Sequence, residues 1–128
     1  RTGELWLAGV SDSASAQPDP GTALARVPDT EPVIAITHSP DVFPRIPSRV
    51  ALTLAGHTHA GQLNVPLLRR LLVPSRFGAR YAAGLVEEDG RRLFIHPGIG
   101  TSRLPIRLRA TPEVTILELI RARTILRP

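Results

Sequence analysis

Two imidazoles one residue apart, His57 and His59, follow an apolar run that ends in glycine, Val50-Ala51-Leu52-Thr53-Leu54-Ala55-Gly56. A third, His38, closes a second such run, Val33-Ile34-Ala35-Ile36-Thr37. Short aliphatic and β-branched runs broken by a polar tip read as buried strands. Open α/β sheets deliver functional side chains at the carboxyl ends of such strands. Neutral imidazole is the commonest protein ligand for transition metals. Three of the chain's 4 histidines therefore stand at two strand tips, which points to a metal site. The fourth, His96, ends another strand-like run before Pro97 and reads as a structural or pocket-lining side chain.

The elements that must position these groups follow from pattern and punctuation. A strand is expected over Glu4 to Val10, then a Ser-, Asp- and Pro-rich loop over Ser11 to Pro20. Asp19 before Pro20 is an N-cap followed by proline at the first helical position, opening a short helix to about Arg26. Val33 to Thr37 reads as a buried parallel strand, Ser39-Pro40-Asp41 as a turn or short helix ending near Pro47, and Arg49 to Ala55 as the next strand. Two strands joined by so short a crossover are expected to be sheet neighbours, with His38 and His57 at one edge. Ala82 to Val86 and Leu93 to His96 read as a hairpin turning at Glu88-Asp89-Gly90. Pro97 to Ser102 is a glycine-bearing loop, and Val114 to Ile120 alternates as a final strand would.

Composition narrows the class. The chain has 128 residues, one domain's worth, with 42% hydrophobic and only 4% aromatic residues. No run approaches the length of a membrane-spanning helix. Cysteine is absent, which excludes disulfides and thiolate metal sites. The net charge of +5 comes from arginine alone, since lysine is absent. Arginine forks grip phosphate, and a coding bias that replaces lysine with arginine yields the same composition. The arginines are scattered, which argues against a dedicated nucleic-acid stripe. There is no methionine, and the chain opens on Arg1 directly before a strand-like segment, so further residues are expected upstream.

Taken in order, several segments resemble the carboxyl half of the calcineurin-like metallophosphoesterases. They are Thr37-His38-Ser39-Pro40-Asp41, Gly56-His57-Thr58-His59-Ala60-Gly61-Gln62, Gly98-Ile99-Gly100-Thr101-Ser102 with Pro105-Ile106-Arg107, and Pro112-Glu113. The resemblance is nearest to the bacterial YkuE/YaeI-like phosphodiesterase subgroup. It implies an α/β fold, part of a two-sheet sandwich of mixed sheets flanked by helices. Residues 1–128 would form a single partial domain whose amino-terminal half is missing. It also implies a binuclear centre in which His38 and His57 bind one metal and His59 the other. Mn, Fe and Zn all accept imidazole, so the ligands do not select among them. Two metals clamp the attacking and leaving oxygens of a phosphoryl group, and the implied activity is phosphodiester hydrolysis. The family's Asp-x-His, Gly-Asp-x-x-Asp and Gly-Asn-His-Asp motifs are absent, so the chain is expected to be inactive by itself. The sequence does not name the compartment; the expectation is a cytoplasmic or membrane-peripheral place in a bacterium.

Around these ligands, the loop at 98–102 either cradles phosphate through backbone N–H groups or simply turns the chain. Thr101 and Ser102 are candidate hydrogen-bond donors to substrate, and Arg107 and Arg103 candidate bidentate phosphate ligands. The apolar and basic segment from Pro66 to Arg80 suits either a loop over the sheet edge or peripheral contact with anionic lipid. In the latter case the substrate would be a lipid headgroup. The rival reading is a non-catalytic remnant that binds a polyanion or protein partner through its arginines. Isolated, half of a two-sheet sandwich is expected to expose apolar faces and unpaired strand edges.

Overall fold

Trp6–Val10 (β1), Val33–Thr37 (β2) and Leu52–Ala55 (β3) lie side by side and parallel in a computed structural model of the chain. The structure describes residues 4–12, 17–65 and 72–120. Gly84–Glu88 (β4) and Arg91–Ile95 (β5) complete one mixed sheet of order β1-β2-β3-β5-β4, in which β5 runs parallel to β3 and antiparallel to β4. The mixed α/β class expected from sequence is what the chain adopts. Of the implied two sheets, the described residues form this one, and helices are few.

Each crossover is short because its residues close turns locally. Helix α1 (Pro20–Leu24) begins where the Asp19 carboxylate accepts from the Thr22 N–H at 3.1 Å and its hydroxyl at 2.5 Å. It stops before Arg26, since Val27 N–H already turns back to the Leu24 carbonyl ahead of Pro28. The β2–β3 connection is a 3₁₀ turn over Pro40–Arg45, capped by the Ser39 hydroxyl, with Pro44 inside it preventing a longer helix. Strand β3 starts at Leu52 rather than Arg49, because Val50 N–H closes a turn onto Pro47. The hairpin turns through Asp89 and Gly90, both at positive φ (50° and 72°), the geometry two-residue hairpin loops favour. Its strands therefore run two residues later at β4 and start two earlier at β5 than the hydrophobic pattern alone suggested.

Alternation sorts the sheet's two faces. Ala8, Ala35, Thr53 and Leu93 share one row across β1, β2, β3 and β5. That face, with Val33 and Ile95, packs under Leu24, Val42, Phe43 and Tyr81 as the core. The opposite face carries Leu7, Ile36, Leu54, Phe94 and Leu85; Leu7 is 65%, Ile36 44% and Leu85 61% exposed. The expected open apolar face is therefore present.

The strand expected over Val114 to Ile120 does not form. These residues have no regular structure, and Val114 and Ile116 stand 80% and 93% exposed. Alternation specifies which side chains would share a face, but a strand exists only through a neighbour that takes its backbone hydrogen bonds. Among the described residues no strand pairs with this segment.

Three arginines hold the connections by donating to main-chain carbonyls. Arg49 reaches the Leu24 and Val27 carbonyls and pairs with Asp29 at 3.5 Å. Arg91 reaches the Phe43, Pro44 and Ile46 carbonyls while pairing with Asp89 at 2.8 Å and lying over the Phe43 ring. Arg107 does the same at the sheet's carboxyl edge. A planar fork of five donors matches several carbonyls at once, which an ammonium point charge does not.

Candidate metal centre

Because β2 and β3 are parallel neighbours, the residues that follow them leave the sheet at one edge. Gly56 N–H donates to the His38 carbonyl at 3.0 Å, and His96 N–H to the Ala55 carbonyl at 2.8 Å, so the ladder continues into the loops. His57 Nδ1 then lies 2.9 Å from His38 Nε2, with the rings edge to face at 4.7 Å between centroids. Burial first, and then the neighbouring His38, hold the His57 imidazole below the usual histidine range, opposed by the Asp41 and Asp12 carboxylates. His57 therefore favours its neutral, metal-binding form.

The loop from His57 to Gln62 is strained. His57, His59, Ala60 and Gln62 all have positive φ (69°, 50°, 54° and 48°). Non-glycine residues in this region cost roughly 1 kcal/mol or more each and persist only where the surroundings over-determine them. The surroundings here do so. The buried Thr58 hydroxyl donates to the Ala82 carbonyl at 2.6 Å, and Arg107 reaches the His59 carbonyl from the other side. Gln62 donates to the Leu104 carbonyl at 2.8 Å and accepts from Ser102 N–H at 2.6 Å. Leu63 and Leu108 bridge in parallel beyond it.

These residues border one open cavity of about 600 Å³ whose lining includes His38, His57, His59, Gln62, Ser102 and Arg103. His59 lines the same cavity as the other two, and among the described residues its buried Nδ1 has no hydrogen-bond partner. It faces Gly98, where a side chain's Cβ would stand 3.9 Å from that nitrogen. Among the described residues, no set of three or more His, Cys, Asp or Glu converges on one point as a metal cage. The pair nevertheless suits a metal. His57 Nδ1 and His38 Nε2 are within hydrogen-bond distance at 2.9 Å, and both nitrogens are of the kind that would bind a metal ion in place of that contact. An orphaned buried imidazole nitrogen on His59 is the kind of atom a further ion would satisfy.

The other sequence candidates distribute unevenly. Ser102 lines the cavity; Thr101 is exposed and lies outside its lining. Arg107 spends its guanidinium on four carbonyls: Ala110 at 2.6 Å, Gly100 at 2.5 Å, Pro97 at 3.1 Å and His59 at 3.4 Å. It holds the loop of the histidines against the glycine loop. The glycine loop itself turns the chain, with Gly98 at φ 71°. His96 Nδ1 accepts from Gly98 N–H at 3.0 Å and stays outside the lining, in keeping with a structural side chain. Of the segment 66–80, residues 66–71 lie outside the described residues, while Leu72 and Pro74 line the cavity. Sequence reasoning assigned Gln62 no role; its place directly after the histidine motif was the one signal available.

Several curated proteins to which the chain is similar bear the name metallophosphoesterase or phosphodiesterase. In particular it is similar to the uncharacterized metallophosphoesterase YkuE of Bacillus subtilis, 32% identical over 117 residues, covering 91% of this chain and 41% of that protein. Phosphodiesterase YaeI of Escherichia coli is 34% identical over 120 residues, covering 93% of this chain and 40% of YaeI. An uncharacterized metallophosphoesterase of Aquifex aeolicus is 30% identical over 122 residues, covering 88% of this chain and 44% of that protein. The chain thus spans about two-fifths of the length of the curated relatives it matches. No family model and no solved structure matches it.

Proposed function

We propose that this chain carries part of the active site of a metal-dependent phosphodiesterase, with His38 and His57 holding one metal ion and His59 a ligand to a second. The observation that carries the reading is the 2.9 Å approach of the His57 and His38 nitrogens in the lining of an open cavity. Metal bound there would supply Lewis-acid charge against a phosphoryl group and acidify water. The chain's own part is to hold two imidazoles aimed together, the His57 ring in its neutral form, to fix the strained loop that bears His57, and to leave a cavity beside them. A two-metal centre needs more ligands than the described residues bring together, so the 128 residues alone are proposed to hydrolyse little or no bis(p-nitrophenyl) phosphate.

Commitment of Arg49, Arg91 and Arg107 to carbonyls weighs against the rival reading of a polyanion-binding module, since three of the arginines already have partners. A lipid headgroup as the phosphodiester is supported by Phe77, 38% exposed beside exposed Arg76, close in sequence to the cavity-lining Leu72 and Pro74.

Cobalt(II) uptake followed by visible absorption tests the metal assignment directly. Wild-type protein is expected to take up cobalt, and His38→Ala and His57→Ala to lose that uptake. Uptake unchanged in both variants would refute the reading.

A further inference from the structure

Three-residue turns closed by an N–H to the carbonyl two residues back form at His57, Gln62 and Arg103. Thr58 donates to Gly56 at 2.8 Å, Leu63 to Gly61, and Leu104 to Ser102 at 2.7 Å. In each the central residue has positive φ (69°, 48° and 62°), the strained form of the γ-turn. None of the three is glycine, and all three line the same cavity. Strain of this kind clusters where geometry is imposed for a purpose.

The turn at Arg103 is imposed by Gln62. The Gln62 carboxamide accepts from Ser102 N–H on one side of Arg103 and donates to the Leu104 carbonyl on the other. It brackets that turn as a paired strand would, with Arg103 exposed between the two bonded residues. No hydrogen bond or ion pair joins the Arg103 guanidinium to any described residue. Among the described residues, the cavity lining contains imidazoles and this guanidinium and no carboxylate. Arg107, four residues on, is the opposite case, since its donors are already taken.

We infer that Arg103 is the anion-binding residue of the cavity, gripping phosphoryl oxygens of the substrate, and that Gln62 is the positioning residue that holds it there. A free guanidinium offers two parallel N–H donors to one phosphate, and such charge-assisted bonds are about twice as strong as neutral ones. Identification of the anion as a phosphoester rests on the phosphodiesterase reading; the anion site itself rests on the geometry alone.

The test is inorganic phosphate binding by the whole chain in the presence of EDTA, followed by amide chemical shifts in two-dimensional NMR. Arg103→Ala is expected to weaken phosphate binding by about tenfold or more, and Arg103→Lys by less, since it keeps the charge but loses the fork. Arg26→Ala, which removes the same charge outside the cavity, controls for net charge. Gln62→Ala is expected to weaken binding severalfold with the guanidinium still present, and to add nothing in the Arg103→Ala background. Equal affinities of the Arg103→Ala and Arg26→Ala proteins would overturn the inference, as would failure of the wild type to show saturable binding. Additive effects of the Gln62 and Arg103 substitutions would overturn the positioning role. Because metal is absent from this experiment, loss of the phosphate result and loss of cobalt uptake strike the two proposals separately.

Discussion

Truncating Arg107 to alanine removes the clip between the two loops at the sheet edge, and the structure allows its cost to be sized. Three of its four carbonyl bonds are within 3.1 Å (to Gly100, Ala110 and Pro97), and the one to His59 is long at 3.4 Å. The side chain is only half-buried, so water replaces part of each lost bond. At about 1–1.5 kcal/mol for each of the three short bonds, the loss comes to about 3–4.5 kcal/mol. That is a large share of the roughly 5–15 kcal/mol that stabilises a typical domain. Urea unfolding followed by circular dichroism reads it as a lower midpoint at unchanged slope. Arg107→Lys keeps the charge but cannot span four carbonyls, and is expected to recover less than half of the loss. The same variants are expected to alter the imidazole nitrogen signals of His59, whose carbonyl the clip holds, and of His96, whose Nδ1 accepts from Gly98 beside the clipped Pro97 carbonyl. An Arg107→Ala protein with the wild-type midpoint, or a lysine variant indistinguishable from wild type, would refute the assignment of Arg107 as a clip.

Burial first, then its bond to Glu88, pushes the Tyr81 hydroxyl up to about 12. A raised folded-state value means stability is fully present below the ordinary tyrosine range and is lost as pH rises from about 10 to 12. Tyr81→Phe is expected to remove that alkaline loss, which stability curves across this window measure. The hydrogen bond from Arg80 holds Glu88 below the usual carboxylate range, so that contribution is instead lost as pH falls through the acid range. Gly61→Ala is expected to destabilise more than Gly90→Ala. Both have positive φ (79° and 72°), but a Cβ at Gly61 meets Val73 Cγ2 at 3.0 Å while that at Gly90 meets open space. Thermal melts of the two variants decide it. Co-sedimentation with anionic vesicles at low salt is expected for the wild type and to weaken on Phe77→Ser; no binding at low salt removes the lipid-headgroup reading.

Local chemistry made much of the fold legible. Val33–Thr37 is a strand because its run is β-branched and aliphatic, and its bounds are those the pattern predicted. Asp19-Pro20 announced the helix start because proline lacks the N–H that a first turn leaves unpaired. Asp89-Gly90 announced the hairpin because both residues tolerate positive φ. Val114–Ile120 was misread for a physical reason: alternation is a property of one segment, whereas pairing needs two.

By itself, the sequence determined the residue types at the strand tips, the order of the elements and the similarity to metallophosphoesterases, all of which are local or linear properties. Only the tertiary structure decided which imidazoles meet. His38 and His57 are brought to 2.9 Å by the parallel pairing of β2 and β3. It also divided the arginines, turning Arg107 inward onto carbonyls and leaving Arg103 at the cavity. Arginines four residues apart carry the same charge in the sequence. What separates them is which carbonyls the folded loops bring within a hydrogen bond's length, and that depends on contacts between segments distant along the chain.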